Sequence, residues 1–214
     1  GSWISNPSKL LKSIPMFLEK FFKTQKYCHH DGSRHSHPHP HPHPDSGGSG
    51  ITIKKSGTRE IKVVRRVLDI NEKMAQQNRS IFAAKGIFVL NVMSSPGSGK
   101  TTTLEKTLAQ IASEIKSAVI VGDICTTHDA DRLAVTGVPV VQINTDEFGG
   151  DCHLSAHVIE KAVGGLDLDE IDLLIIENVG NLVCPAEFDI GEDTRVVVLS
   201  VTEGEDKPVK YPLM

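Results

Sequence analysis

Residues 94–101 read Ser94-Ser-Pro-Gly-Ser-Gly-Lys-Thr101. They follow directly on the apolar run Gly86-Ile-Phe-Val-Leu-Asn-Val-Met93 and open a helical pattern, Thr101-Thr-Thr-Leu-Glu-Lys-Thr-Leu-Ala-Gln110. No other stretch restricts the fold as tightly. A strand that turns through glycines into a helix aims unpaired backbone N–H groups and the positive end of a helix dipole at one point, which suits a nucleotide's phosphates. Gly97, Ser98, Gly99, Lys100, Thr101 and Thr102 form the expected cradle. Lys100 would reach the β/γ-phosphates, and the Thr101 hydroxyl would hold Mg²⁺. The general pattern has glycine six positions before the lysine, where Ser94 stands here. Gly97 and Gly99 still leave room for close backbone approach, and Pro96 fixes the entry to the turn.

With 214 residues the chain can form one domain of ordinary size plus flexible additions. A formal net charge of −4 argues against a surface made for nucleic acid. Cys28, Cys125, Cys152 and Cys184 are widely spaced and unlike a secreted disulfide framework, so a reducing, cytoplasmic compartment is expected. No apolar run reaches the roughly 18 residues of a membrane span. The short segment from Ile14 to Phe22 carries charges and reads as an amphipathic surface helix or as upstream sequence. The Gly1-Ser2 start and the Tyr211-Pro-Leu-Met214 end read as those of a fragment.

Residues 1–50 are expected to be disordered. They contain Cys28-His-His30 and the tract His35-Ser-His-Pro-His-Pro-His-Pro-His-Pro44, followed by Gly47-Gly-Ser-Gly50. Alternating proline excludes helix and central strand and leaves an extended, polyproline-like chain. Its imidazoles, His35, His37, His39, His41 and His43, suit loose binding of Ni²⁺, Cu²⁺ or Zn²⁺. Residues 51–84 form a helical lead-in, with Val64, Val67, Leu68, Ala75, Ile81 and Phe82 partly at helical spacing.

Residues 85–214 then alternate. Strands are expected at 87–93, 118–122, 138–144, 172–177 and 195–201, each apolar enough to be buried on both faces. Between them, Leu104, Leu108, Ile111 and Ile115 mark one helix, 129–136 a short second and 156–163 a third. This order predicts an α/β, doubly wound, mainly parallel sheet with right-handed crossovers and ligands at the carboxyl ends of the strands.

Two further constellations carry chemistry. Glu177 ends the fourth strand beside the loop, where it can organise Mg²⁺, and Gly180 leaves the backbone free to rearrange when a γ-phosphate is lost. Asp123 ends the second strand in the same way; it is a candidate for the magnesium shell or for positioning water, with Asp129 and Asp131 as weaker alternatives and an N-cap role open for Asp129. Cys152, His153 and His157 offer thiolate and imidazole, with the two histidines one turn apart if a helix begins near Cys152. Cys184 follows Glu177 by seven residues, so it could add a ligand from a nucleotide-sensing loop. That donor set suits Zn²⁺ or Ni²⁺. Cys125 reads as structural.

The segments Asn91-Val-Met-Ser-Ser-Pro-Gly-Ser-Gly-Lys-Thr-Thr102, Gln142-Ile-Asn-Thr145, Cys152-His153, Ile176-Glu-Asn-Val-Gly-Asn-Leu-Val-Cys-Pro185 and Leu199-Ser-Val-Thr-Glu-Gly-Glu-Asp-Lys-Pro208 together resemble the hydrogenase nickel-incorporation GTPases, the HypB family. The resemblance covers roughly residues 59–214. It implies a P-loop NTPase core of the SIMIBI type, incomplete at the C-terminus. The implied function is that of a metallochaperone GTPase for nickel-iron hydrogenase, using GTP, Mg²⁺, Ni²⁺ and Zn²⁺, with Lys100 and Glu177 at the hydrolytic site, where the strand-end reading adds Asp123. Cys152, His153 and Cys184 match the family's metal ligands at a dimer interface, and His157 is a further candidate. Implied partners are a second copy of the chain, a nickel-binding accessory chaperone and the hydrogenase large-subunit precursor; no nucleic acid and no membrane is expected. The family's guanine-reading Asn-Lys-x-Asp segment is expected beyond Met214. A metal-storage protein working through its His-Pro tract is the alternative, and a small-molecule kinase a third reading.

Overall fold

A computed structural model describes residues 57–123, 127–148, 152–204 and 207–211. The His-Pro tract and Cys125 lie outside these residues. Among the described residues, no helix is long and apolar enough to cross a membrane.

Five strands, β1 (Phe88–Ser94), β2 (Ser117–Asp123), β3 (Val140–Asn144), β4 (Leu173–Gly180) and β5 (Thr194–Val198), form one sheet in the order β3-β2-β4-β1-β5. Every pairing is parallel. The chain enters through one long helix, α1 (Gly57–Lys85), and crosses between strands through α2 (Lys100–Ile111), α3 (His128–Ala134) and α4 (Ala156–Val163). Two short helices, α5 (Cys184–Glu187) and α6 (Lys207–Lys210), flank β5.

Side chains on a strand alternate between faces, and the two cores follow that parity. Phe88, Leu90, Val92, Val119, Val121, Leu173 and Ile175 meet Leu104, Leu108 and Ile111 of α2 and Leu133 of α3. Their neighbours Val89, Ala118, Ile120, Leu174 and Ile176 meet Phe82 of α1 and Ile159 of α4 on the opposite face. Burial of each large aliphatic side chain contributes about 1.5–3 kcal/mol, so both faces of the central strands are sealed by apolar contact.

Several boundaries differ from those read in the sequence, for local reasons. The third strand starts at Val140 rather than 138, because Pro139 has no N–H to give the ladder; its carbonyl instead accepts from Val119 N at 2.9 Å. The fifth stops at Val198. The Ser200 side chain accepts from Thr202 N and caps a 3₁₀ turn at Val201–Glu203. The fourth runs on to Gly180, past a register shift between Val92 and Ser94 of β1. Ile115 lies beyond the end of α2, although it packs on the same core.

The described part of the lead-in is one helix, whose inward face keeps Ala75 and Phe82 of the apolar set expected but not Val67 or Ile81. Val67 and Ile81 are 49% and 44% exposed, whereas Asn71, Ala75, Asn78 and Phe82 are buried. These four fall at spacings of four, three and four, one helical stripe with two amides in it. The amides have specific work. Asn78 donates to the carbonyls of Ala156 (2.8 Å) and Ile190 (3.1 Å). Asn71 accepts from Ala156 N (2.9 Å) and donates to Asp189 O (2.6 Å). The start of α4 and the loop before β5 are thereby tied to α1 through groups that would otherwise be buried without partners.

Candidate phosphate cradle and cysteine corner

The carboxyl ends of β1, β2 and β4 and the start of α2 enclose a cavity of about 390 Å³. Its wall includes Ser94, Pro96, Gly97, Ser98, Gly99, Lys100, Thr101, Thr102, Asp123, Asp129, Arg132 and Gly180. Gly97 and Gly99 both sit at positive φ, +74° and +87°, and among the described residues a Cβ at either would meet nothing within 4 Å beyond its own chain neighbours. Backbone conformation therefore selects glycine here, and the space in front of the loop is open. Gly99 directly precedes α2 without a side-chain cap, so the helix presents its N-terminal N–H groups to the cavity.

Glu177 closes the floor. It is only 1% exposed; its Oε1 accepts from the Thr101 hydroxyl at 2.6 Å and lies 3.2 Å from Lys100 Nζ. Burial pushes its carboxyl above the usual glutamate range, outweighing the opposing pull of Lys100 and Thr101. Its second oxygen, Oε2, is buried with no hydrogen-bond partner among the described residues. A buried carboxylate oxygen with nothing to accept, beside a threonine hydroxyl, is a donor set that fits a hard divalent cation.

Of the aspartates weighed, Asp123 and Asp129 line the cavity. The N-cap of α3 is Thr127, not Asp129. Asp131 accepts from the Thr127 hydroxyl at 3.1 Å. The sequence reading missed Arg132. It lines the same cavity and donates to Thr102 Oγ1 (3.0 Å) and Glu105 (2.7 Å). A cation on the first helix after the carboxyl end of β2 was the available signal. Lys207 of α6 also reaches the loop, donating to Ser95 Oγ at 2.6 Å, and its hydrogen bond holds Glu203 below the usual carboxylate range.

Four residues past the end of β4, Cys184 meets Cys152. Their Cα atoms are 6.3 Å apart and their sulfurs are paired as a disulfide, although the residues are 32 apart in sequence. His153 stacks on Phe188, ring centroids 3.8 Å apart. The helix expected to begin near Cys152 begins at Ala156, with Ser155 as N-cap, so His153 precedes it and shares no helical face with His157. His157 is half exposed and lies 3.5 Å from Glu160. Pro185, in the first turn of α5, starts that helix at Cys184. The structure thus joins the sulfurs of Cys152 and Cys184, sets His153 against Phe188 and leaves His157 half exposed on α4. Among the described residues no group of three or more His, Cys, Asp or Glu side chains is arranged to hold a metal ion.

A strand, a glycine loop and a helix N-terminus facing a buried carboxylate define a P-loop NTPase fold with a nucleotide-binding site. The model of the CobW/HypB/UreG nucleotide-binding domain matches residues 88–210, and the chain belongs to that family. The hydrogenase maturation factor HypB of Escherichia coli K12 is 54% identical over 159 residues, which is 74% of this chain and 54% of that protein. The crystal structure of HypB from Helicobacter pylori in complex with nickel is similar at 47% identity and a TM-score of 0.61, over 67% of this chain and 66% of that one. HypB from Archaeoglobus fulgidus is similar at 40% identity and a TM-score of 0.62, over 68% and 70%. The chain spans about half the length of the curated relatives it matches.

Proposed function

We propose that this chain is the nucleotide-dependent switch of a nickel metallochaperone that hydrolyses GTP during maturation of nickel-iron hydrogenase. The cargo would be held by Cys152, His153 and Cys184, with His157 available from α4, across a pair of chains. The observation that carries this reading is one stretch of backbone with an end at each site. Glu177 bonds Thr101 and Lys100 at the cradle, and seven residues on Cys184 lies against Cys152. The names of the relatives, hydrogenase maturation factor and a nickel complex, agree with it.

In the nucleotide state, Lys100 would turn from Glu177 to the β/γ-phosphates, and the N–H groups of the loop and of α2 would carry the phosphate charge. Thr101 and Glu177, joined by Asp123, would hold Mg²⁺, which supplies charge neutralisation at the transferred phosphoryl group. Asp123 or Asp129 would orient the attacking water. Loss of the γ-phosphate removes contacts that hold the end of β4, so the thiol of Cys184 shifts relative to Cys152. Nickel can bind only the reduced, thiolate form of the pair.

The test is linkage. With reduced full-length protein, Ni²⁺ affinity is measured by competition with a chromophoric chelator in the presence of GDP and of a non-hydrolysable GTP analogue. A change in affinity between the two states is expected, and equal affinity overturns the proposal. Phosphate release from GTP, absent in Lys100→Ala, checks the hydrolytic half.

A further inference from the structure

Glu177 and Asn178 are consecutive on β4, so their side chains leave the sheet on opposite faces. Glu177 follows the parity of Leu173 and Ile175 toward α2 and the cradle. Asn178 follows that of Leu174 and Ile176, toward the face that carries Leu154 and α4. There the Asn178 Oδ1 accepts from the backbone N–H of Leu154 at 3.2 Å, two residues after Cys152. Its Nδ2 donates to Asn91 Oδ1 at 3.2 Å.

The chain of contacts continues. Asn91 donates to Glu192 Oε1 at 3.2 Å; Glu192 also takes the Arg195 guanidinium and, at 2.8 Å, the N–H of Ile190. Arg195 in turn donates to the carbonyl of Ala186 at 2.9 Å, two residues after Cys184. Asn91 and Asn178 are both completely buried. Leu154 is held from the other side as well. A Cβ on Gly122, which lines the nucleotide cavity, would lie 2.8 Å from Leu154 Cδ1, so the leucine packs directly on the end of β2.

From this arrangement we propose that Asn178 is a positioning residue that couples the nucleotide pocket to the Cys152 segment. The inference rests on the function proposed above and adds to it a side-chain tether beside the backbone link from Glu177 to Cys184. A strand segment moves as one body: any displacement of β4 that follows Glu177 on the cradle face carries Asn178 with it on the other. Asn178 passes that displacement to Leu154 directly and, through Asn91, Glu192 and Arg195, to the segment of Cys184. Both thiols are then steered from one residue, and the geometry between them changes with the nucleotide.

The experiment measures a ratio rather than an affinity. In reduced full-length wild type, Ni²⁺ affinity with the GTP analogue and with GDP should differ by a factor on the order of 5–150, the usual range of coupling between sites. In Asn178→Ala the factor should collapse toward one while the affinity for each nucleotide stays near wild type. A purely structural loss would weaken both states alike and leave the ratio intact, and that result overturns the proposal. Wild type itself supplies a measurement that needs no variant. Exchange of the Leu154 amide with deuterated solvent should differ between the two nucleotide states, and identical exchange also overturns it. Should wild type show no ratio at all, the parent function fails and this inference with it; a ratio that survives in Asn178→Ala sinks this inference alone.

Discussion

The phosphate cradle and the cysteine corner are joined through β4 and the residues that follow it, and they are built by opposite means. Just over half of the residues lining the cradle come from the contiguous residues 94–102, in backbone conformations chosen by two glycines and the start of a helix. The cysteine corner brings together residues 32 apart and depends on α4, α5 and the loop before β5 being seated correctly. Local chemistry suffices for the first; long-range polar stitching makes the second. Loss of a charge should therefore cripple the cradle without disturbing the corner, and loss of a stitch should do the reverse.

The largest effect is expected from Lys100→Ala. It removes a side-chain cation that pairs with Glu177 and faces the phosphate cradle, so nucleotide affinity should fall by roughly a hundredfold or more, about 2.7 kcal/mol. The same change strands a buried carboxylate, and the empty protein should lose stability at neutral pH. Adding Glu177→Gln in that background should restore the melting temperature, since an amide carries no charge, while binding stays lost. Recovery of binding in the double variant would show that the lysine acts only by pairing with Glu177. Isothermal titration and thermal unfolding read the two halves separately.

What the sequence disclosed follows the same division. The strand–loop–helix order, the parallel sheet and the placement of Lys100, Thr101 and Glu177 were readable because hydrophobic parity and glycine chemistry act over a few neighbouring residues. The face of α1 was readable only at Ala75 and Phe82. Asn71 and Asn78 look like surface residues until Ala156, Asp189 and Ile190 are placed against them, and those partners are 78 to 118 residues away. Arg132 was overlooked for the same reason, since its partners Thr102 and Glu105 lie on a different helix. The histidine pair failed on a boundary. With the helix starting at Ala156 rather than Cys152, the one-turn spacing of His153 and His157 loses its meaning.

The second prediction tests the stitched side. Asn78→Ala leaves the carbonyls of Ala156 and Ile190 without their donor in a buried setting, a cost of about 1–3 kcal/mol. At about 2–4 °C per kcal/mol for a domain of this size, the melting temperature should drop by several degrees. Nucleotide affinity should hold, because no group of the cradle is touched. A parallel loss of nucleotide affinity would mean that the two regions are not separable in the way the contacts describe.

The smallest effect is a pH dependence, and its sign distinguishes the empty site from the loaded one. Burial raises the folded-state pKa of Glu177 above the ordinary 4.5, so the folded chain keeps this proton longer than the unfolded chain does. Its contribution to stability is then greatest below 4.5 and is lost as pH rises from there through the raised value. Nucleotide with Mg²⁺ needs the carboxylate, so affinity should run the other way, weakening as pH falls through the same window. Other carboxylates titrate nearby, and the signal is therefore the difference between wild type and Glu177→Gln in both unfolding and binding. Opposite slopes that vanish together in the variant assign them to this one carboxyl; slopes of the same sign would place the proton elsewhere, and the unpartnered oxygen at the floor of the cradle would need another explanation.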